Sequence, residues 1–155
     1  MADPDPDLPT DADVTASDLA AAGSREPIWD VVLVIGAGGA VGGGLRHVGN
    51  VLVPPGSAGF PWSTFTENVV GSFLLGLLMV YLLEVWRPSR YLRPFLGVGV
   101  LGGFTTFSSF ALDTRGLLER DAHAIAGLYL VGSVAAGLAA AFVGIRAGRL
   151  LGRTV

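Results

Sequence analysis

The sequence predicts an all-α integral membrane fold of four transmembrane helices, with a break in the third. Three observations carry this reading. Mean hydropathy is +0.59, with 51% hydrophobic and only 15% charged residues, a membrane-protein composition. Four apolar stretches, at about 28–48, 63–86, 95–118 and 122–146, are each long enough to cross the hydrocarbon. The third contains GGFTTFSSFALDT, residues 102 to 114, which is more polarity than a lipid-facing helix tolerates and must face the bundle interior or a water-filled cavity.

Residues 1–27 form an acidic N-terminal tail. Seven of the 13 acids lie there (Asp3, Asp5, Asp7, Asp11, Asp13, Asp18, Glu26) against one base, Arg25. With four prolines and no apolar run, the tail is expected to be disordered, and its acidic start is unlike a cleavable signal peptide. Residues 28–155 form the membrane domain, in which nine arginines face six acids. The chain has no cysteine, which excludes disulfides, thiolate metal sites and a cysteine nucleophile.

The first span is glycine-rich. Gly38 with Gly42, and Gly39 with Gly43, stand four apart and predict close helix packing. Gly97, Gly99 and Gly102 satisfy GxGxxG, but no strand precedes them, so a dinucleotide turn is rejected. Arg46 ends the span, either as an interfacial snorkelling cation or as one that draws anions into a vestibule. Residues 49–61 read as a loop.

The second span opens on Thr64, Thr66, Glu67 and Asn68 before turning wholly apolar. Asn68 offers two donors and an acceptor where partners are few. Glu67 must lie near the interface, pair with a cation such as Arg46, or be protonated. Arg87, Arg90 and Arg93 form a basic loop. In the third span Phe104, Phe107 and Phe110 recur every three residues, with Thr106, Ser109 and Asp113 on the adjoining face of a continuous helix. Gly102 and Gly103, followed by Thr105 and Thr106, predict a break there. The loop Glu119–His123 leads to a fourth span in which Gly132 and Gly137 point to packing. Seven arginines on the side of the termini against three on the other predict cytoplasmic termini.

Four short helices leave little room for a pocket in one subunit, so a homo-oligomer is expected. The polar inventory, hydroxyls, an amide, phenyl rings and an arginine without a carboxylate ring, suits a small anion. No grouping of nucleophile, base and orienting acid points to an enzyme.

GGFTTFSSFALD (102–113) is similar to GGxTTFSTFxxE, and FPWSTFTENVVGSFLLG (60–76) to PxGTLxVNxxGxFxxG, the paired signatures of the Fluc/CrcB fluoride channels. The resemblance covers all four spans and excludes the tail. It implies a passive fluoride-selective channel exporting cytoplasmic fluoride and protecting the cell from it, set as a multi-pass protein in a bacterial-type cell (inner) membrane. It also implies an antiparallel, dual-topology-type dimer with two pores, either a homodimer or a heterodimer with a paralogous subunit. In the family, residues matching Asn68, Phe107 and Phe110 contact fluoride; those matching Thr106, Ser108, Ser109 and Asp113 continue a polar track; Arg46 matches a vestibule arginine. A structural sodium ion at the dimer centre would be held by backbone carbonyls at Gly102 and Thr105. Ser63, Glu67 and Asp113 depart from the pattern, which has Gly, an apolar residue and Glu there. The alternative is a proton-coupled exporter of the small multidrug kind, using Glu67.

Overall fold

The computed structural model describes residues 28–53, 59–85 and 89–152; the acidic tail, part of the first loop, Arg87 and Arg153 lie outside them. Four helices are long and apolar enough to cross a membrane, spanning Trp29–Leu52, Trp62–Val85, Pro94–Glu119 and His123–Gly152. We label Trp29–Leu52 α1 and Trp62–Val85 α2. The interrupted third span comprises α3, running through Pro94–Leu101 and Gly102–Phe104, and α4, Phe107–Glu119; the last helix, His123–Gly152, is α5.

Two boundaries differ from the sequence reading. Helix α1 continues past residue 48 to Leu52, so Gly49 and Asn50 are helical and not loop. The Asn50 amide donates back to the Arg46 carbonyl at 3.1 Å, and the Val53 N–H reaches the Gly49 carbonyl at 2.9 Å, which keeps the last turn wound. Helix α5 runs to Gly152, beyond residue 146. There Arg149 grips Glu84 of α2 through bonds of 2.9 and 3.1 Å and holds the final turns against that helix.

The break in the third span exists and falls at the two threonines that follow the paired glycines. Gly102 and Gly103 are helical; Thr105 (φ −80°, ψ 158°) and Thr106 (φ −149°, ψ 127°) are the extended residues. Helix α4 restarts because Thr106 caps it, its Oγ1 accepting the Ser109 N–H at 3.1 Å. Before the break α3 is wound in wider π-type turns over Pro94–Leu101. A consequence corrects the periodicity expected earlier: Phe104 ends one helix while Phe107 and Phe110 belong to the next, so the three rings do not form one stripe.

Glycines bring the helices into backbone contact at two interfaces. A methyl group added at Gly38 of α1 would stand 2.9 Å from the Gly99 Cα of α3, too close for any Cβ. Gly103 backs onto Gly39 and Gly43, whose own Cβ directions are open. Between α2 and α5 the close approaches fall at Gly76, Gly144 and Gly148. Gly132 meets nothing within 4 Å and Gly137 only the Ser72 hydroxyl at 3.4 Å, so the packing expected of that pair is carried further along α5. The predicted polar connection into α5 is a tight turn with Asp121 in the left-handed region (φ 58°), closed by the Ala122 N–H on the Leu117 carbonyl at 3.0 Å. Leu117, Ala126 and Tyr129 form a small core there, packed by Phe60, Phe65 and Phe110.

Candidate functional site

The extended residues at the break release backbone groups that a continuous helix would satisfy, and a side chain from α2 takes them. Asn68 Nδ2 donates to the Thr106 carbonyl and Asn68 Oδ1 accepts the Thr106 N–H, both at 2.9 Å. Because Thr106 N–H turns to Asn68, it does not close the next helical turn on the Gly102 carbonyl. From α1, Arg46 Nη1 reaches the Thr105 carbonyl at 3.4 Å. Asn68, Arg46, Thr105 and Thr106, predicted as site residues on three separate spans, therefore meet at one point.

Beside the break lies a groove of about 410 Å³, lined among others by Asn68, Ser72, Thr105, Thr106, Phe107, Phe110 and Ser133. Phe107 is 80% exposed in the subunit and stands at the edge of the groove; the half-buried Phe110 ring lies 5.9 Å from it and 5.1 Å from Tyr129. Thr106 Oγ1 lies 3.2 Å from Ser108 Oγ and donates to Ser109 Oγ at 3.1 Å, so these predicted hydroxyls form one cluster at the start of α4. Ser133 is a wall residue that sequence reasoning passed over. Its Oγ is buried with no hydrogen-bond partner among the described residues. A lone serine in an Ala/Gly-rich span was the available signal.

Asp113 sits one helical stretch further along α4. Its Oδ2 accepts from Thr64 Oγ1 at 2.6 Å and from Tyr129 OH at 3.3 Å, two partners not singled out from the sequence. Tyr129 is fully buried. Across α2 a second polar chain runs from α1: Ser63 Oγ lies 2.5 Å from Asn50 Oδ1 and 3.4 Å from Glu67 Oε1. Glu67 is 5% exposed in the subunit, and among the described residues it forms no salt bridge with Arg46.

Among the described residues no three His, Asp or Glu side chains are grouped as a metal site. A cation at the break would have to be taken by neutral backbone oxygens. The Gly102 carbonyl, freed from the helical ladder, and the Thr105 carbonyl, with only a long contact from Arg46, are hard oxygen donors of the kind an alkali ion accepts, so this donor set fits the sodium ion expected there.

Comparison with known proteins bears on the same stretch. The family model described as CrcB-like protein, Camphor Resistance (CrcB), matches residues 33–145. A protein of Streptomyces avermitilis named fluoride-specific ion channel FluC 3 is 46% identical over 120 residues, covering 77% of this chain and 59% of that protein's length. One of Nocardia farcinica, fluoride-specific ion channel FluC 2, is 45% identical over 128 residues, 81% of this chain and 91% of the relative. One of Agrobacterium fabrum, fluoride-specific ion channel FluC, is 42% identical over 121 residues, 77% and 97% of the two chains.

Proposed function

The chain belongs to the CrcB-like family, and on that premise we propose that it forms a passive, fluoride-selective channel that lets cytoplasmic fluoride leave the cell and so limits its toxicity. The observation that carries the proposal is the groove beside the break, where the Asn68 amide, the unpartnered Ser133 hydroxyl and the phenyl rings of Phe107 and Phe110 converge.

Fluoride is small and strongly hydrated, so a conduit must replace its water shell with compact donors. Asn68 has a second N–H beyond the one given to Thr106. Ser133 has its hydroxyl hydrogen free, and phenyl edges carry the positive part of the ring quadrupole. Arg46 draws the anion toward the break, and the Thr106, Ser108 and Ser109 hydroxyls hand it along toward Asp113. None of these groups needs to change protonation for an anion to pass.

The proposed assembly is an antiparallel dimer in a bacterial-type inner membrane, a homodimer or a pair with a paralogous subunit, in which two such grooves become two pores. Phe107, exposed in the subunit, is then covered by the partner. A sodium ion held by the Gly102 and Thr105 carbonyls would supply a fixed positive charge at the dimer centre. The exporter alternative, with Glu67 as a proton carrier, finds no support in these relatives.

The test is fluoride efflux from proteoliposomes containing this chain alone, with chloride as control. Fluoride should leave without a proton gradient while chloride is retained. Absence of flux, or equal flux of both halides, would overturn the proposal.

A further inference from the structure

The groups around Glu67 raise a question of charge that the conduit itself does not answer. Ser63 has one hydroxyl hydrogen and two acceptors, Asn50 Oδ1 at 2.5 Å and Glu67 Oε1 at 3.4 Å. Asn50 is fixed with its oxygen toward Ser63, because its amide nitrogen is donated to the Arg46 carbonyl at 3.1 Å. The hydrogen goes to the nearer oxygen, and Glu67 keeps only a weak contact. An ionised carboxylate at 5% exposure, with no ion-pair partner among the described residues, is poorly compensated there. A neutral acid is well placed, since its O–H can be donated to the Ser63 oxygen that Asn50 leaves free.

Every helix packed around Glu67 contributes to its field. Arg46 of α1 attracts the carboxylate, Asp113 of α4 repels it, and the Tyr129 phenol of α5 is a titratable group in the same field. Helix α3 carries no charged side chain. With both acids ionised, the Arg46 charge is outnumbered two to one where an anion must arrive; with Glu67 neutral, one cation faces one acid. Glu67 directly precedes Asn68, so this change occurs one residue from the clamp on the break.

We propose that the charge of Glu67 sets the anion flux: ionised, it holds fluoride back at the Arg46 end of the conduit, and neutral, it lets fluoride pass. The inference rests on the fluoride-channel reading above. Acidification therefore raises fluoride current in this chain, by roughly five- to tenfold for removal of one partly desolvated unit charge near the path.

Electrical recording in planar bilayers tests this without interference from neutral HF, which carries no current. Fluoride current is measured with equal pH on both sides at pH 7.5, 6.5 and 5.5, for the full chain and for Glu67→Gln, Glu67→Val and Glu67→Asp. The wild type should rise with acid; the Gln and Val variants should conduct at the high level throughout; Asp should keep the pH dependence. Two neutral variants are used so that loss of one to misfolding, seen by gel filtration, leaves the other. A wild-type current that is flat with pH, a neutral variant that keeps the wild-type slope, or loss of current in a well-folded neutral variant would each overturn the proposal. Absence of any fluoride current in the wild type would instead sink the channel reading itself.

Discussion

Asn68 and Thr106, 38 residues apart, exchange two hydrogen bonds of 2.9 Å and so fix the interruption of the third span to the second. Replacing Asn68 by Ala removes both bonds and leaves the buried Thr106 N–H without a partner. The expected loss is about 2–4 kcal/mol, read as a lower unfolding temperature in detergent, together with loss of fluoride efflux. Asn68→Asp keeps the acceptor and loses the donor, so its stability should fall between the two while its flux is abolished by the added negative charge.

Phe107 and Phe110 separate function from folding. Phe107 is 80% exposed in the subunit, so Phe107→Ile should change subunit stability by less than about 0.5 kcal/mol yet stop fluoride efflux. Phe110 packs on Tyr129 at 5.1 Å, and Phe110→Ile should lower stability by about 1 kcal/mol as well as flux. Equal flux in Phe107→Ile would remove the rings from the mechanism.

The Asp113 cluster allows a ranking. Thr64 donates to Asp113 at 2.6 Å and Tyr129 at 3.3 Å. Thr64→Val should therefore cost about 1.5–3 kcal/mol, and Tyr129→Phe less than about 1 kcal/mol, in thermal unfolding of the purified protein. The reverse order would show that the phenol is the main partner of Asp113.

Gly144 and Gly132 lie on the same helix and should behave oppositely. A Cβ at Gly144 would sit 3.0 Å from the Leu77 nitrogen and closer still to the Phe73 carbonyl, so Gly144→Val should abolish the monodisperse peak in gel filtration. Gly132→Ala, with nothing within 4 Å of its Cβ, should leave that peak unchanged.

The four spans were legible because hydropathy is a property of whole segments and survives small errors at the ends. The functional stretch was legible for the same reason: hydroxyls inside an apolar run must be bought off by something within the protein. The break was legible too, within 102–106, but which of those residues leave the helix was not. Gly102 and Gly103 are the local signal, but the chain leaves the helix at Thr105 and Thr106, where Asn68 takes the Thr106 amide. That partner is distant in sequence, so no window on the third span contains it. Tyr129 and Ser133 were passed over, and Thr64 was left without a partner, for a related reason. Each is a single polar residue whose meaning depends on which helix faces it.

The interruption at Thr105 and Thr106 has an electrical result. By ending one helix and capping the next, it sets the amino end of a 13-residue helix, Phe107–Glu119, midway along the third span and not at its end. Aligned peptide dipoles give such an end about half a positive elementary charge. A halide arriving there meets a fixed favourable potential made of backbone alone, one that no lysine supplies and no change of pH can titrate away.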